Sequence, residues 1–175
     1  MKPLASTARI SAAMALVLIA AAGIMPAAAL AQPSAEASHG PMTVTPGPAL
    51  LARAADIGEG EITWLGDQLR ERAERAVGTN PHLSDATIAI TILDARPNRP
   101  TRAQALRTPG LSVLESIGIG GARLHVRLRW PDGRELSFEA GWETDNLAQV
   151  QAGGVWSDAL RAFEITARRL RTLRP

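Results

Sequence analysis

The stretch that decides the fold reads ARLHVRLRW (122–130), PDG (131–133) and RELSFEAGW (134–142). Apolar and polar residues alternate on both sides of a Pro131-Asp132-Gly133 turn, the pattern of a β-hairpin with one face buried. With Trp130 opposite Arg134, Leu128 faces Leu136, Val126 faces Phe138 and Leu124 faces Ala140. The other face then sets Arg129 against Glu135 and His125 against Glu139. One register satisfies both faces, and a slip by one residue would turn every side chain over.

Working outward, Thr87 to Asp94 puts Ile88, Ile90 and Ile92 on one face in strict alternation and reads as a half-buried strand. From Glu61 to Val77, Ile62, Leu65, Leu69, Ala73 and Ala76 recur at helical steps, and Gly78 is placed to end the run. Trp156, Leu160, Phe163, Ala167 and Leu170 form a second helical stripe, capped by Ser157 or Gly154. Arg168, Arg169, Arg171 and Arg174 crowd its C-terminal end, where the helix dipole favours positive charge. The expectation is an α+β domain, a small and mostly antiparallel sheet with two amphipathic helices packed on one face.

The beginning of the chain has a different character. Lys2 and Arg9 precede an uncharged apolar stretch from Ile10 to Ile24, and Ala29-Leu30-Ala31 follows as a small-x-small site. This is the order of a cleavable secretory signal over residues 1–31, and the modest apolarity of its many alanines disfavours a permanent membrane span. Residues 32–48, with Pro33, Pro41, Pro46 and Pro48, read as a flexible leader in which Met42 to Thr45 have the makings of a short edge strand. Residues 49–175 form the single domain.

Of the 19 basic residues two lie in the signal, so cleavage leaves 17 against 17 acidic ones. A formally neutral domain gives no bulk attraction to nucleic acid. The absence of cysteine excludes disulfides, thiolate metal sites and a cysteine nucleophile. About 144 residues are enough to be held by a core alone. Every basic residue after Lys2 is Arg, and an exported chain of this kind fits the periplasm of a Gram-negative bacterium.

The most unusual segment for function is DARPNRPTR (94–102), continuing to Arg107, with four arginines and no acid between Ala95 and Leu114. Its prolines imply an extended, irregular loop behind a strand, a common place for binding groups. Arg96, Asn98, Arg99, Arg102 and Arg107 are the candidate ligand-binding residues, because guanidinium forks suit phosphate, sulfate or carboxylate. The same arginines also fit a plainer role, bonding carbonyls of their own loop or pairing with Asp94, Glu115 and Glu143.

Other motifs carry less. Ile117-Gly118-Ile119-Gly120-Gly121 leads into a strand and lacks the Lys-Ser/Thr of a phosphate loop, so it reads as a tight approach to the hairpin. His39, His82 and His125 have no metal-ligand spacing, and no metal or cofactor is expected. Trp156 belongs to the core, and Trp130 and Trp142 stand at the hairpin ends, bounding the core or rimming a groove.

The segments DARPNRPT (94–101), PGL (109–111), GGA (120–122) and WSDA (156–159) with Phe163 resemble a group of small exported proteobacterial proteins of unknown function. The resemblance spans most of Glu61 to Leu170 and implies the domain limits and the periplasm, with no activity to carry over. Three functions follow from the residues. First is a periplasmic domain binding an anionic envelope component or a partner protein through the Arg-rich loop. Second is a small hydrolase or isomerase using His125 and Glu139. Third is a structural partner in an envelope assembly. Binding stands ahead of catalysis because no nucleophile, base and oxyanion donors are grouped.

Overall fold

The computed structural model describes residues 40–147 and 153–174. The expected signal, and the leader up to residue 39, lie outside the described residues. The elements run β1 (Met42–Pro46), α1 (Pro48–Ala52), α2 (Ala54–Ile57), α3 (Glu59–Gly78), a 3-10 turn (Pro81–Leu83), β2 (Thr87–Arg96), α4 (Arg102–Arg107), β3 (Gly121–Arg129), β4 (Glu135–Glu143) and α5 (Ser157–Thr172).

The fold is α+β, with a four-stranded sheet in the order β1-β2-β3-β4. The expectation of a mostly antiparallel sheet is corrected to a mixed one: β2-β3 and β3-β4 are antiparallel, but β1 runs parallel to β2. The reason is the connection. A parallel pair needs a long crossover, and here α1, α2 and the 20-residue α3 supply it. β1 and Pro48, the first residue of α1, lie within the segment read from sequence as leader.

The hairpin has the register read from its alternation, Leu128 against Leu136, Val126 against Phe138, Leu124 against Ala140 and His125 against Glu139. The turn closes through Trp130 N–H to the Arg134 carbonyl at 3.0 Å, with Gly133 at a φ of 87° that favours glycine. The Asp132 carboxylate accepts from both the backbone N–H and the guanidinium of Arg134, which hold its pKa below the ordinary carboxylate value.

Ile88, Ile90, Ile92, Leu124, Val126 and Leu128 are all fully buried, in one core with Leu65, Leu69, Phe163 and Leu170 of the two long helices. α3 and α5 pack on one another; α3 also meets β1, and α5 meets β3 and β4. α5 seals its border with β4 by stacking Arg161 over Trp142 and Arg169 over Phe138, the guanidinium carbons 3.7 and 3.9 Å from the ring centres. Among the described residues no helix is long and apolar enough to cross a membrane.

Candidate functional site

The segment between β2 and β3 is where the structure departs most from the sequence reading. In place of a wholly extended loop it contains α4, started by a capping box in which Thr101 accepts from the Gln104 N–H and Gln104 accepts from the Thr101 N–H. Pro100 disfavours helix in the residue before it and so marks where the helix can begin. The Thr-x-x-Gln spacing at 101–104 was the signal for this helix.

Just before it, β2 is bulged between Ile92 and Asp94. A bulge resets the alternation of a strand. Ala95 turns into the core while Asp94 and Arg96 turn outward. Register then places Arg96, Gly121 and Glu143 side by side. With no side chain on the middle strand, the Arg96 guanidinium reaches Glu143 at 2.6 Å. Asp94 is shared, its two oxygens bound by Arg53 at 3.1 Å and Arg96 at 3.3 Å.

Asn98 is 1 % exposed and every polar group it has is used inside the protein. Its amide donates to Asp158 at 2.6 Å and accepts from the Asp158 N–H at 2.9 Å. Its backbone N–H donates to the Val155 carbonyl and its carbonyl accepts from Gly118, both at 2.7 Å. Thr144 donates to the same Asp158 oxygen at 2.7 Å. Gly120 lies so close to the Asn98 amide that a Cβ there would overlap it. Asn98 thus ties the approach to β3 and the start of α5 to the end of β2.

Arg99 donates to the carbonyls of Gly153, at 3.0 Å, and Leu114. The plainer roles weighed for the arginines are therefore realised at Arg96 and Arg99, through ion pairs in one case and carbonyls in the other. The two still differ electrically. Carbonyls orient a guanidinium without neutralising it, so Arg99 keeps its full charge.

Arg53, Arg96 and Arg99 wall one pocket of about 330 Å³ together with Gln104 and Ser116, and among the described residues no carboxylate side chain lines it. Arg53, in the turn between α1 and α2, was not among the sequence candidates; only the packing of that turn against the end of β2 brings it in. The side chains of Arg102 and Arg107, both exposed, make no hydrogen bond or ion pair with any described residue. Arg102 lines a different and larger groove of about 820 Å³ between α3, α4 and α5, and Arg107 lines neither.

That groove gathers Trp64 and Leu106, which are 39 % and 78 % exposed. Trp64 had no distinguishing context in the sequence, where it falls on the polar side of the α3 stripe. Trp156 is in the core as expected, its indole N–H donating to Glu61 at 2.6 Å. Trp130 is also buried, donating to the His82 carbonyl at 3.0 Å.

His125 and Glu139 are opposite one another on the outer face of the sheet, but neither an ion pair nor a hydrogen bond joins them. Among the described residues no three His, Cys, Asp or Glu side chains are grouped as metal ligands. Compared with known proteins, the chain matches no protein family and no curated protein.

Proposed function

We infer that the chain is an exported periplasmic domain that binds an anionic component of the cell envelope at the pocket of Arg53, Arg96 and Arg99. The observation that carries this reading is the pocket wall, in which Arg99 is bonded only to carbonyls while Arg53 and Arg96 are ion-paired to Asp94 and Glu143, and no carboxylate is among the described residues that line it. Arg99 supplies the least neutralised charge, and its two carbonyl acceptors hold it in place before any ligand arrives. Such preorganisation lowers the ordering cost of binding, and the guanidinium fork matches phosphate, sulfate or carboxylate oxygens.

The compartment rests on the order of charged, apolar and small residues at the start of the chain, and on the resemblance to small exported proteobacterial proteins. We read α3 and α5 as lying together on one face of the sheet, which leaves the segment 97–120 and the opposite sheet face to partners from solution.

Thermal unfolding of the purified protein in phosphate, sulfate and anionic cell-wall fragments tests the site. A ligand that binds only the folded state, at a hundred times its Kd, stabilises by about 2.7 kcal/mol, which raises the Tm by several degrees. The increment is expected to disappear in Arg99→Gln, measured against that variant's own ligand-free Tm. An equal increment in the variant, or none in the native protein with any of these anions, would falsify the assignment.

A further inference from the structure

The groove between α3, α4 and α5 has walls mainly of carbon, from Ile57, Trp64, Ala103, Leu106, Val155 and Leu160. Its polar groups are few and mostly committed. Glu61 accepts from Trp156 Nε1 at 2.6 Å, and Ser157 Oγ donates to the Gly154 carbonyl at 2.8 Å. Arg102 is the exception, an exposed guanidinium on the same wall with no bond to a described residue.

Size selects the occupant. About 820 Å³ is within the range of roughly 300–1,000 Å³ that holds small molecules. The surface the walls expose falls far short of the about 800 Å² per partner that a stable protein interface buries. An apolar trough that carries one guanidinium, Arg102, and one carboxylate, Glu61, bonded only to a neutral indole, complements a hydrocarbon chain whose anionic head lies at Arg102 and away from Glu61.

We propose that this groove holds the chain of a single-chain amphiphile, with Arg102 pairing its anionic head group, an alkyl phosphate, sulfate or carboxylate. Trp64 and Leu106 cover the chain. The fixed carboxylate of Glu61 repels an anion seated beside it and so orients the head toward Arg102. The site is separate from the pocket of Arg53, Arg96 and Arg99, and neither assignment depends on the other.

The test uses the full chain with decyl phosphate, below its micelle concentration, and decanol, followed by calorimetry and tryptophan fluorescence. Decyl phosphate is expected to saturate a single site and to bind more tightly than decanol. Arg102→Gln should weaken decyl phosphate about tenfold, the worth of a charge-assisted hydrogen bond, while leaving decanol unchanged. Leu106→Ser should weaken both; Leu106 and Arg102 are exposed, so neither change disturbs the core.

Arg107→Gln, on the same short helix but outside both pockets, should leave decyl phosphate binding unchanged, and inorganic phosphate should not compete with it. Loss of decyl phosphate binding in Arg99→Gln but not in Arg102→Gln would move the head group to the other pocket and overturn the proposal. Equal affinity for decanol and decyl phosphate, indifference to Leu106→Ser, or binding only to anionic vesicles would overturn it as well.

Discussion

The hairpin β3-β4 and the segment 97–120 sit side by side in the molecule and are held in opposite ways. The hairpin is closed by short-range polar bonds, Arg134 to Asp132 and Arg129 to Glu135, laid over a buried apolar face. In 97–120 the bonds that matter span the chain: Asn98 to Asp158, and Arg99 to Gly153. Its large apolar residues Leu106, Leu111, Leu114, Ile117 and Ile119 are exposed. Hydrophobic burial carries the first region, and long-range polar cross-links, part-buried at Asn98 and exposed at Arg99, carry the second. Those cross-links also position both candidate sites, since Arg99 and α4 belong to the segment they hold.

If that contrast is right, a polar truncation in the segment should cost about as much as an apolar one in the hairpin. Leu128→Ala, at a fully buried position, is expected to lose about 2–5 kcal/mol in urea unfolding. Asn98→Ala is expected to lose about 2–3 kcal/mol, because it strips a hydrogen bond from the Asp158 carboxylate and leaves the Asp158 N–H without its acceptor. A loss for Asn98→Ala well under 1 kcal/mol would mean that the segment stands outside the cooperative fold.

The next effect is smaller and confined to one side of the comparison. Thr101→Ala removes the cap of α4 and should cost about 1 kcal/mol. Amide hydrogen exchange should rise in residues 102–107 and stay unchanged in the hairpin; acceleration in both would erase the distinction between them.

The smallest effect concerns the turn. NMR titration is expected to find the Asp132 pKa below the ordinary carboxylate value, and Arg134→Gln should raise it only in part, since the backbone N–H remains as a donor. Because the folded-state pKa is depressed, the contribution of Asp132 to stability is present above its unfolded pKa and is lost as pH falls through the folded one. An Asp132 that titrates at its ordinary value would show the turn to be set by backbone alone.

The sequence by itself determined the parts whose information is local. Alternation with period 2 and a Pro-Asp-Gly turn decide the hairpin register, and a stripe at three- and four-residue steps decides each long helix, because burial of one face admits a single phase. It also marked the Arg-rich segment as exceptional, and it held one unread signal, the Thr101-x-x-Gln104 cap.

Only the tertiary structure decided what the segment does. That β1 runs parallel to β2 follows from a crossover whose packing no local pattern states. Whether Arg96, Asn98 or Arg99 faces a ligand or its own protein depends on partners up to 60 residues away. Arg53 joins the pocket, and Trp64 and Arg102 come to share a groove, only once α1 to α5 are assembled. A hydrogen bond between distant residues leaves no periodicity in the chain, since its partners are chosen by where the apolar core has already placed them.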